Sequence, residues 1–445
     1  MMHAGHRHSL DAPVPAAERW DRLRSDGWMR LLVILLVAVS LLQAIALVTG
    51  PRLHGNDFKH LWAGAYLLQH EVNPYHYENL IYLARHMGWS GMNPFVYLPT
   101  TGLAMGSLAR FPYETAMHIW FWLNWALAWL LVLFGPWLLR LDRPMGACLA
   151  GAVFVAGGFP FYRQLTAGQM NVVGAALILL AAAAVARRKP FWTGLALAAG
   201  VGWKIAPALL LAVLAPLKRW RAMGHGLACC LAMLAAAVAL CGWTVHRDAF
   251  AMISRMGYGM STWAEFGMQF YRDPFNQSPN ALMHHLLTEN PFTEPWVFYG
   301  PAVANGATVA VSLLLVMAWL WAARRFWRGS DVRRAAEQAQ SVRLFLAASL
   351  LMLLLPSLMW DHYCVQALPA LMWIFGDRRT WRRPGRAIGA ALILAAVTVP
   401  WFHVHPNWRS GPGILFMSLR LWPMLALYVW LLADRRLTHA ASDAV

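Results

Sequence analysis

One carboxylate stands where a long apolar segment gives way to a polar one. Asp57 follows the first apolar run of the chain, 29–49, in a region with few other acids. Two roles suit this position. An Asp at the start of a helix caps free backbone N–H groups, and a partly desolvated carboxylate at a membrane–water boundary can take a proton from a hydroxyl as a general base.

Lys204 is a cation inside an apolar run, 191–217, that contains no Asp or Glu. An ionisable residue within a transmembrane segment usually faces a cavity or a partner, although a Lys near an interface can also extend its ammonium to water. A cation in this place could neutralise a phosphate. If Lys204 only reaches for water, we expect Arg163, Arg255 or Arg272 to bind the phosphate instead.

Two short polar segments interrupt other apolar runs. Trp360-Asp361-His362-Tyr363 is either a tight turn with aromatic anchors at the membrane interface or a site where His362 bonds a phosphate or a sugar hydroxyl. Gly168-Gln169-Met170-Asn171 either caps the next helix or offers two amides to sugar hydroxyls. The sequence has no metal-binding spacing, nucleotide-binding loop or nucleophile motif, so we expect no metal and no cofactor.

The elements that must hold these residues are transmembrane helices. Of the 445 residues, 59% are hydrophobic and 13% are charged, whereas soluble proteins carry about a quarter charged residues. Crossing a bilayer takes about 20 apolar residues. The runs that qualify or nearly do are 29–49, 94–110, 115–139, 144–161, 169–186, 191–217, 222–243, 296–322, 343–358, 363–376, 386–402 and 413–432. The sequence therefore predicts an all-α polytopic integral membrane protein with 11–13 transmembrane helices.

Two regions leave the helix count open. The run 191–217 contains Gly200, Gly202 and Pro207, so it could form two short half-helices rather than one crossing. The clusters at Arg140 and at 187–189 both look cytoplasmic, and the number of crossings counted in this region does not allow both.

The formal net charge of +17 comes largely from short Lys and Arg clusters between apolar runs. This pattern is typical of cytoplasmic loops, so we expect no nucleic-acid partner. It predicts cytoplasmic tails at 1–28 and 433–445 around one transmembrane domain, 29–432. The longest outside segments are then 50–93, with an amphipathic helix on the membrane surface, and a lid loop, 244–295.

The order of the motifs resembles family 87 of the integral-membrane glycosyltransferases. The resemblance covers roughly 50–376 and lies in Asp57-Phe58, Asn73-Pro74-Tyr75, Tyr97-Leu98-Pro99, Gly168-Gln169-Met170-Asn171, Trp203-Lys204-Ile205-Ala206-Pro207 and Leu358-Met359-Trp360-Asp361-His362-Tyr363. Leu98 and Met359 depart from the residues that are common in these motifs.

The resemblance implies the GT-C architecture in a bacterial inner (plasma) membrane, with the active site on the outside face below interfacial helices. It implies a polyprenyl-phosphate sugar donor, most often mannose, and a glycolipid or glycan acceptor reached among membrane lipids. Asp57 becomes the catalytic base, with Lys204 and His362 near the donor phosphate. The substrate-binding residues that we predict are Lys59, His60, Tyr75, Gln169, Asn171, Trp360 and Asp361.

The expected reaction is a single displacement that inverts the anomeric carbon and releases the lipid phosphate. The alternative is a transporter or flippase of lipid-linked sugars. Such a protein would need a charge pathway across the membrane or an internal repeat. The sequence offers one Lys inside an apolar run, Lys204, and no detectable repeat, which favours the enzyme.

Overall fold

A computed structural model of the protein describes residues 16–264, 267–328, 334–400 and 405–433. The predicted N-terminal tail lies outside this part of the chain up to position 15, and the C-terminal tail lies outside it from position 434. Within the described residues the only β-type pairing is a single bridge between Asn290 and Thr293. The all-helical prediction is therefore confirmed.

The α-helices are α1 (Ala16–Thr49), α2 (Asn56–Gln69), α3 (Tyr77–His86), α4 (Pro99–Ala109), α5 (Tyr113–Leu138), α6 (Pro144–Gly157), α7 (Phe159–Ala167), α8 (Asn171–Ala186), α9 (Pro190–Trp203), α10 (Ala208–Val213), α11 (Trp220–Ser254), α12 (Pro279–Leu287), α13 (Pro301–Arg328), α14 (Arg334–Leu354), α15 (Leu368–Phe375), α16 (Arg378–Arg382), α17 (Pro384–Thr398), α18 (Ile414–Met417) and α19 (Leu421–Ala433). Short 3₁₀ helices are Phe270–Arg272, Asp361–Ala367, Pro406–Trp408 and Gly411–Gly413. The centre of the bundle contains α14, whose residues 340–354 are all buried.

Four helices of the described chain are long and apolar enough to cross a membrane: Asp26–Thr49 within α1, α5, α11 and Pro301–Trp327 within α13. The number rises to six if two bent pairs each form one span, α6 with α7 at 54° and Gly411–Met417 with α19 at 67°. The polytopic membrane class is confirmed. The count is lower than the predicted 11–13 because several apolar runs fold as short or broken helices.

The run 191–217 is broken, in agreement with the prediction of two half-helices. Helix α9 ends at Trp203, and α10 begins only at Ala208. Lys204 between them has extended backbone angles, φ −157° and ψ 133°. Pro207 precedes the first residue of α10, where its missing N–H costs nothing. The break places Lys204 in an irregular segment rather than in the middle of a helix.

The run 94–110 yields only α4, whose 11 residues measure about 16 Å. That length is about half of the roughly 30 Å hydrocarbon core of a bilayer, so α4 does not cross it. The two basic clusters, at Arg140 and at 187–189, lie at the same end of the bundle. The Arg187 guanidinium donates to the Leu138 carbonyl at 2.6 Å, so the ends of α5 and α8 lie together. We call this part of the bundle the basic end.

The two predicted outside segments are more ordered than expected. Helix α2 is present, and eight of its fourteen residues are buried, among them the predicted apolar positions Phe58, Leu61, Trp62 and Ala65. In the lid segment, α11 continues to Ser254 beyond a break at Gly242, whose φ is +80°. The lid is also anchored, because Asn276, Ser278 and Asn280 all donate to the Ser357 carbonyl.

Candidate active site

A cavity of about 450 Å³ lies between the start of α2, the break after α9, the lid and the turn at Trp360. Ligand sites for small molecules usually measure about 300–1,000 Å³. Six of the predicted residues line this cavity, namely Asp57, His60, Gln169, Lys204, Trp360 and His362. A larger cavity of about 580 Å³ between α1 and the α6–α7 bend has no carboxylate or His among its described lining residues. The predicted site residues therefore lie together in the cavity beside Asp57 and Lys204.

Asp57 does not cap α2. The residue before the helix is Gly55, with φ +54°, and no side chain caps this end. The Gly55 N–H donates to the Thr166 carbonyl at 2.9 Å, which holds the start of α2 against the end of α7. A side chain at Gly55 would come within 2.5 Å of the Tyr113 hydroxyl. Asp57 is thus the second residue of the helix, and it does not fill the capping role that its position suggested.

The carboxyl group of Asp57 has an unusual environment. Burial raises its pKa above the usual value, while a hydrogen bond from the Gln169 side chain and the charges of Arg163 and Lys204 lower the pKa in part. Gln169 approaches closely because Gly168 has φ +69°, and a side chain there would meet Phe58 at 2.6 Å. A raised pKa makes Asp57 a stronger base than a solvated carboxylate.

Two cations share the cavity with this carboxylate. The Lys204 Nζ atom lies 3.5 Å from the centre of the Tyr363 ring, and Arg163 lines the same space. In the part of the chain that the structure describes, neither cation forms an ion pair. Among the described lining residues there are two positive charges and one negative charge, a balance that suits an anionic ligand.

His362 adds a neutral hydrogen-bonding group. Burial, followed by the charges of Lys204 and Arg163, lowers its pKa to about 3, so the imidazole is uncharged at neutral pH. Its Nε2 atom is buried and has no hydrogen-bond partner among the described residues. A buried polar atom without a partner is costly, and a ligand in the cavity that His362 lines could supply the missing partner.

Four predicted substrate-binding residues do not line the cavity. Lys59 lies over the Trp89 ring, and the Tyr75 hydroxyl donates to the Tyr97 carbonyl at 2.5 Å. Asn171 donates to Gln164 and accepts from Gln366. The buried Asp361 forms an ion pair with Arg420 at 3.1 Å. Each of these side chains already has a partner inside the protein.

Arg163 is more central to the cavity than its sequence context indicated. The sequence predicts a phosphate role for it only in place of Lys204, yet Arg163 is the single charged residue between positions 144 and 186. A lone charge in a long uncharged stretch was the sequence feature that could have indicated a role for Arg163. Arg255 and Arg272, which were expected to serve in the same way, do not line the cavity. The lid contributes apolar wall residues that no motif indicated, namely Ile253, Met256, Trp263 and Phe270.

Comparison with known proteins identifies a family. The sequence profile of glycosyltransferase family 87 matches residues 95–356, which is more than half of the chain. The matched segment includes Arg163, Gln169 and Lys204, while Asp57 and His362 lie outside it.

Two curated relatives carry the same name, polyprenol-phosphate-mannose-dependent alpha-(1-2)-phosphatidylinositol pentamannoside mannosyltransferase. The relative from Mycolicibacterium smegmatis is 24% identical over 311 residues, which cover 69% of this chain and 68% of that protein. The relative from Mycobacterium tuberculosis is 25% identical over 281 residues, or 60% of this chain and 56% of that protein.

Proposed function

Because the chain belongs to glycosyltransferase family 87, we propose that it transfers mannose from a polyprenyl-phosphate donor to a glycolipid or glycan acceptor. The observation that carries the proposal is one cavity in which a carboxylate of raised pKa lies near two cations, Lys204 and Arg163, that form no ion pair with a described residue. A base and an anion site side by side are the groups that transfer from a phosphate donor needs. The names of the two relatives support the choice of donor.

In the proposed reaction Asp57 takes the proton of the acceptor hydroxyl. The acceptor oxygen forms a bond to the anomeric carbon as the bond from that carbon to the phosphate oxygen breaks. The electron pair leaves with the polyprenyl phosphate. A single displacement inverts the anomeric carbon, so a β-linked donor gives an α-linked product.

The leaving group explains why one carboxylate suffices. A phosphate leaves as a stable anion, so no second acid has to protonate it. Lys204 and Arg163 stabilise the charge that develops on the phosphate, and the free Nε2 of His362 donates a further hydrogen bond. Trp360 and Phe270, whose rings pack edge to face, form an aromatic wall on which a sugar face can stack.

We further propose that 29–432 is a single GT-C-like domain in the inner membrane, with the cytoplasm at the basic end and the cavity outside. The Lys and Arg bias supports this orientation. Single cysteines at Glu78 on α3 and at Lys189, in a background without the native cysteines, should react differently with an impermeant reagent. In intact cells we expect labelling at position 78 only, and labelling at 189 alone would reverse the proposed orientation.

Activity is tested with radiolabelled polyprenyl-phosphate mannose. Membranes that contain the protein, supplied with a lipid extract, should move the label to a new lipid, and membranes with Asp57→Asn should not. Label that stays on the donor with every acceptor fraction, while the purified protein binds the donor, would contradict the proposed transfer.

A further inference from the structure

A second cavity, of about 480 Å³, lies at the basic end of the bundle. Its described lining includes five cationic residues, Arg188, Lys189, Lys218, Arg219 and Arg221, and no carboxylate. Helix α9 connects the two cavities, because it begins here at Pro190 and ends beside Lys204. Its 14 residues measure about 21 Å, so this basic cavity is separate from the candidate active site.

The charges around the basic cavity are far from balanced. Glu337 accepts from Arg188 at 2.7 Å and from Arg219 at 3.4 Å. Within the described parts of the chain, Lys189 and Arg221 form no ion pair. Among the described residues five positive charges therefore lie around one negative charge, and their mutual repulsion favours the binding of an anion.

The backbone adds to this positive field. Helices α9 and α11 both begin at the cavity, and no side chain caps either start. The two helices pack closely at Gly194, where a side chain would come within 2.5 Å of the Gly226 nitrogen. Free N–H groups and the helix dipole attract anions to such ends. The two chain reversals that build the cavity hold Arg188 and Lys218 at φ +51° and +54°, a region that residues other than Gly seldom occupy.

Exposed aromatic residues in or next to the lining segments indicate the source of the anion. Trp192 and Trp220 are each 59% exposed, and Phe191 is 47% exposed. Exposed Trp rings of a membrane protein concentrate at the level of the lipid headgroups. We propose that the basic cavity binds the phosphate headgroup of an anionic phospholipid, with the acyl chains passing between these aromatic side chains.

The competing explanation is that the Lys and Arg residues only fix the orientation of the chain. The orientation of a membrane protein depends on positive charge in its cytoplasmic loops. It does not require these charges to line a cavity. Arg324 and Arg325 provide a matched control, because they are exposed on the last turns of α13 and do not line the cavity. The Trp327 indole donates to the Pro216 carbonyl, so this part of α13 also lies at the basic end.

The test compares two double variants of the full-length purified protein. Lys189→Gln with Arg221→Gln removes two cavity charges without breaking an ion pair, and Arg324→Gln with Arg325→Gln removes two charges outside it. Native mass spectrometry would measure binding of short-chain phosphatidylglycerol, phosphatidylcholine and inorganic phosphate. Each cation near an anionic lipid contributes about fivefold in affinity. We expect the cavity variant to bind phosphatidylglycerol about thirtyfold more weakly and the control to bind it normally.

Three results would overturn the proposal. The first is unchanged phosphatidylglycerol binding by the cavity variant. The second is an equal loss in both double variants, which would indicate a diffuse charge effect. The third is complete displacement of phosphatidylglycerol by inorganic phosphate at an equal concentration, which would identify a soluble anion as the ligand.

Discussion

Replacing Lys204 with Met would remove one of the two cations from the candidate active site while keeping an unbranched side chain. In the described chain Lys204 has no ion pair, and its Nζ atom contacts the Tyr363 ring at 3.5 Å. No buried carboxylate loses an ion-pair partner in this variant. The folded protein should therefore tolerate the change, because the lost cation–π contact is offset by the lower cost of burying a thioether.

The effect on activity should be much larger. A charged group aimed at a developing oxyanion contributes about 2–4 kcal/mol to the transition state. That range corresponds to a loss of roughly 30- to 1,000-fold in kcat/KM. Arg163 lines the same cavity, so we expect the lower half of the range. Lys204→Arg should restore only part of the activity, because the planar guanidinium is larger than the ammonium.

The assay is transfer of label from polyprenyl-phosphate mannose, measured over a range of donor concentrations. Lys59→Met is the matched control, because Lys59 lies over the Trp89 ring and does not line the cavity. We expect the control to keep normal transfer and both variants to keep normal thermal stability in detergent. Normal transfer by Lys204→Met would refute the assignment of Lys204 to the donor phosphate.

Two further predictions concern charge. Because the Arg163 charge lowers the pKa of Asp57, Arg163→Gln should raise that pKa, and the acid limb of the pH–kcat/KM profile should move to higher pH; an unmoved limb would contradict their proximity. Arg420→Met should destabilise the protein by about 3–5 kcal/mol, because it leaves the buried carboxylate of Asp361 without its cation. Adding Asp361→Leu should recover part of the lost melting temperature, and an additive further loss would contradict the pairing.

The fold could be predicted as far as local patterns reach. Long apolar runs indicated the helices, and the glycines and Pro207 indicated the break that places Lys204 between α9 and α10. The crossing count failed at 94–110, because hydropathy does not distinguish a span from α4, which is short and packs inside the protein. The continuation of α11 beyond Gly242 was missed for a similar reason, since polar residues there indicated a loop.

The candidate site could be predicted only where a residue was unusual for its surroundings. Asp57 and Lys204 stood out as charges beside or inside apolar runs. The buried pair of Asp361 and Arg420 joins positions 59 residues apart, and nothing local marks either residue as the other's partner. Asp361 therefore looked available to a substrate, although it is already paired.

The most direct test of the central claim is the turnover of Asp57→Asn with labelled polyprenyl-phosphate mannose. Asn is nearly isosteric with Asp but cannot take the proton of an acceptor hydroxyl. Because Asp57 does not cap α2, the substitution should leave the fold and the donor affinity intact. We expect kcat to fall by about two to four orders of magnitude. A variant that turns over at a rate near that of the unmodified protein would contradict Asp57 as the catalytic base.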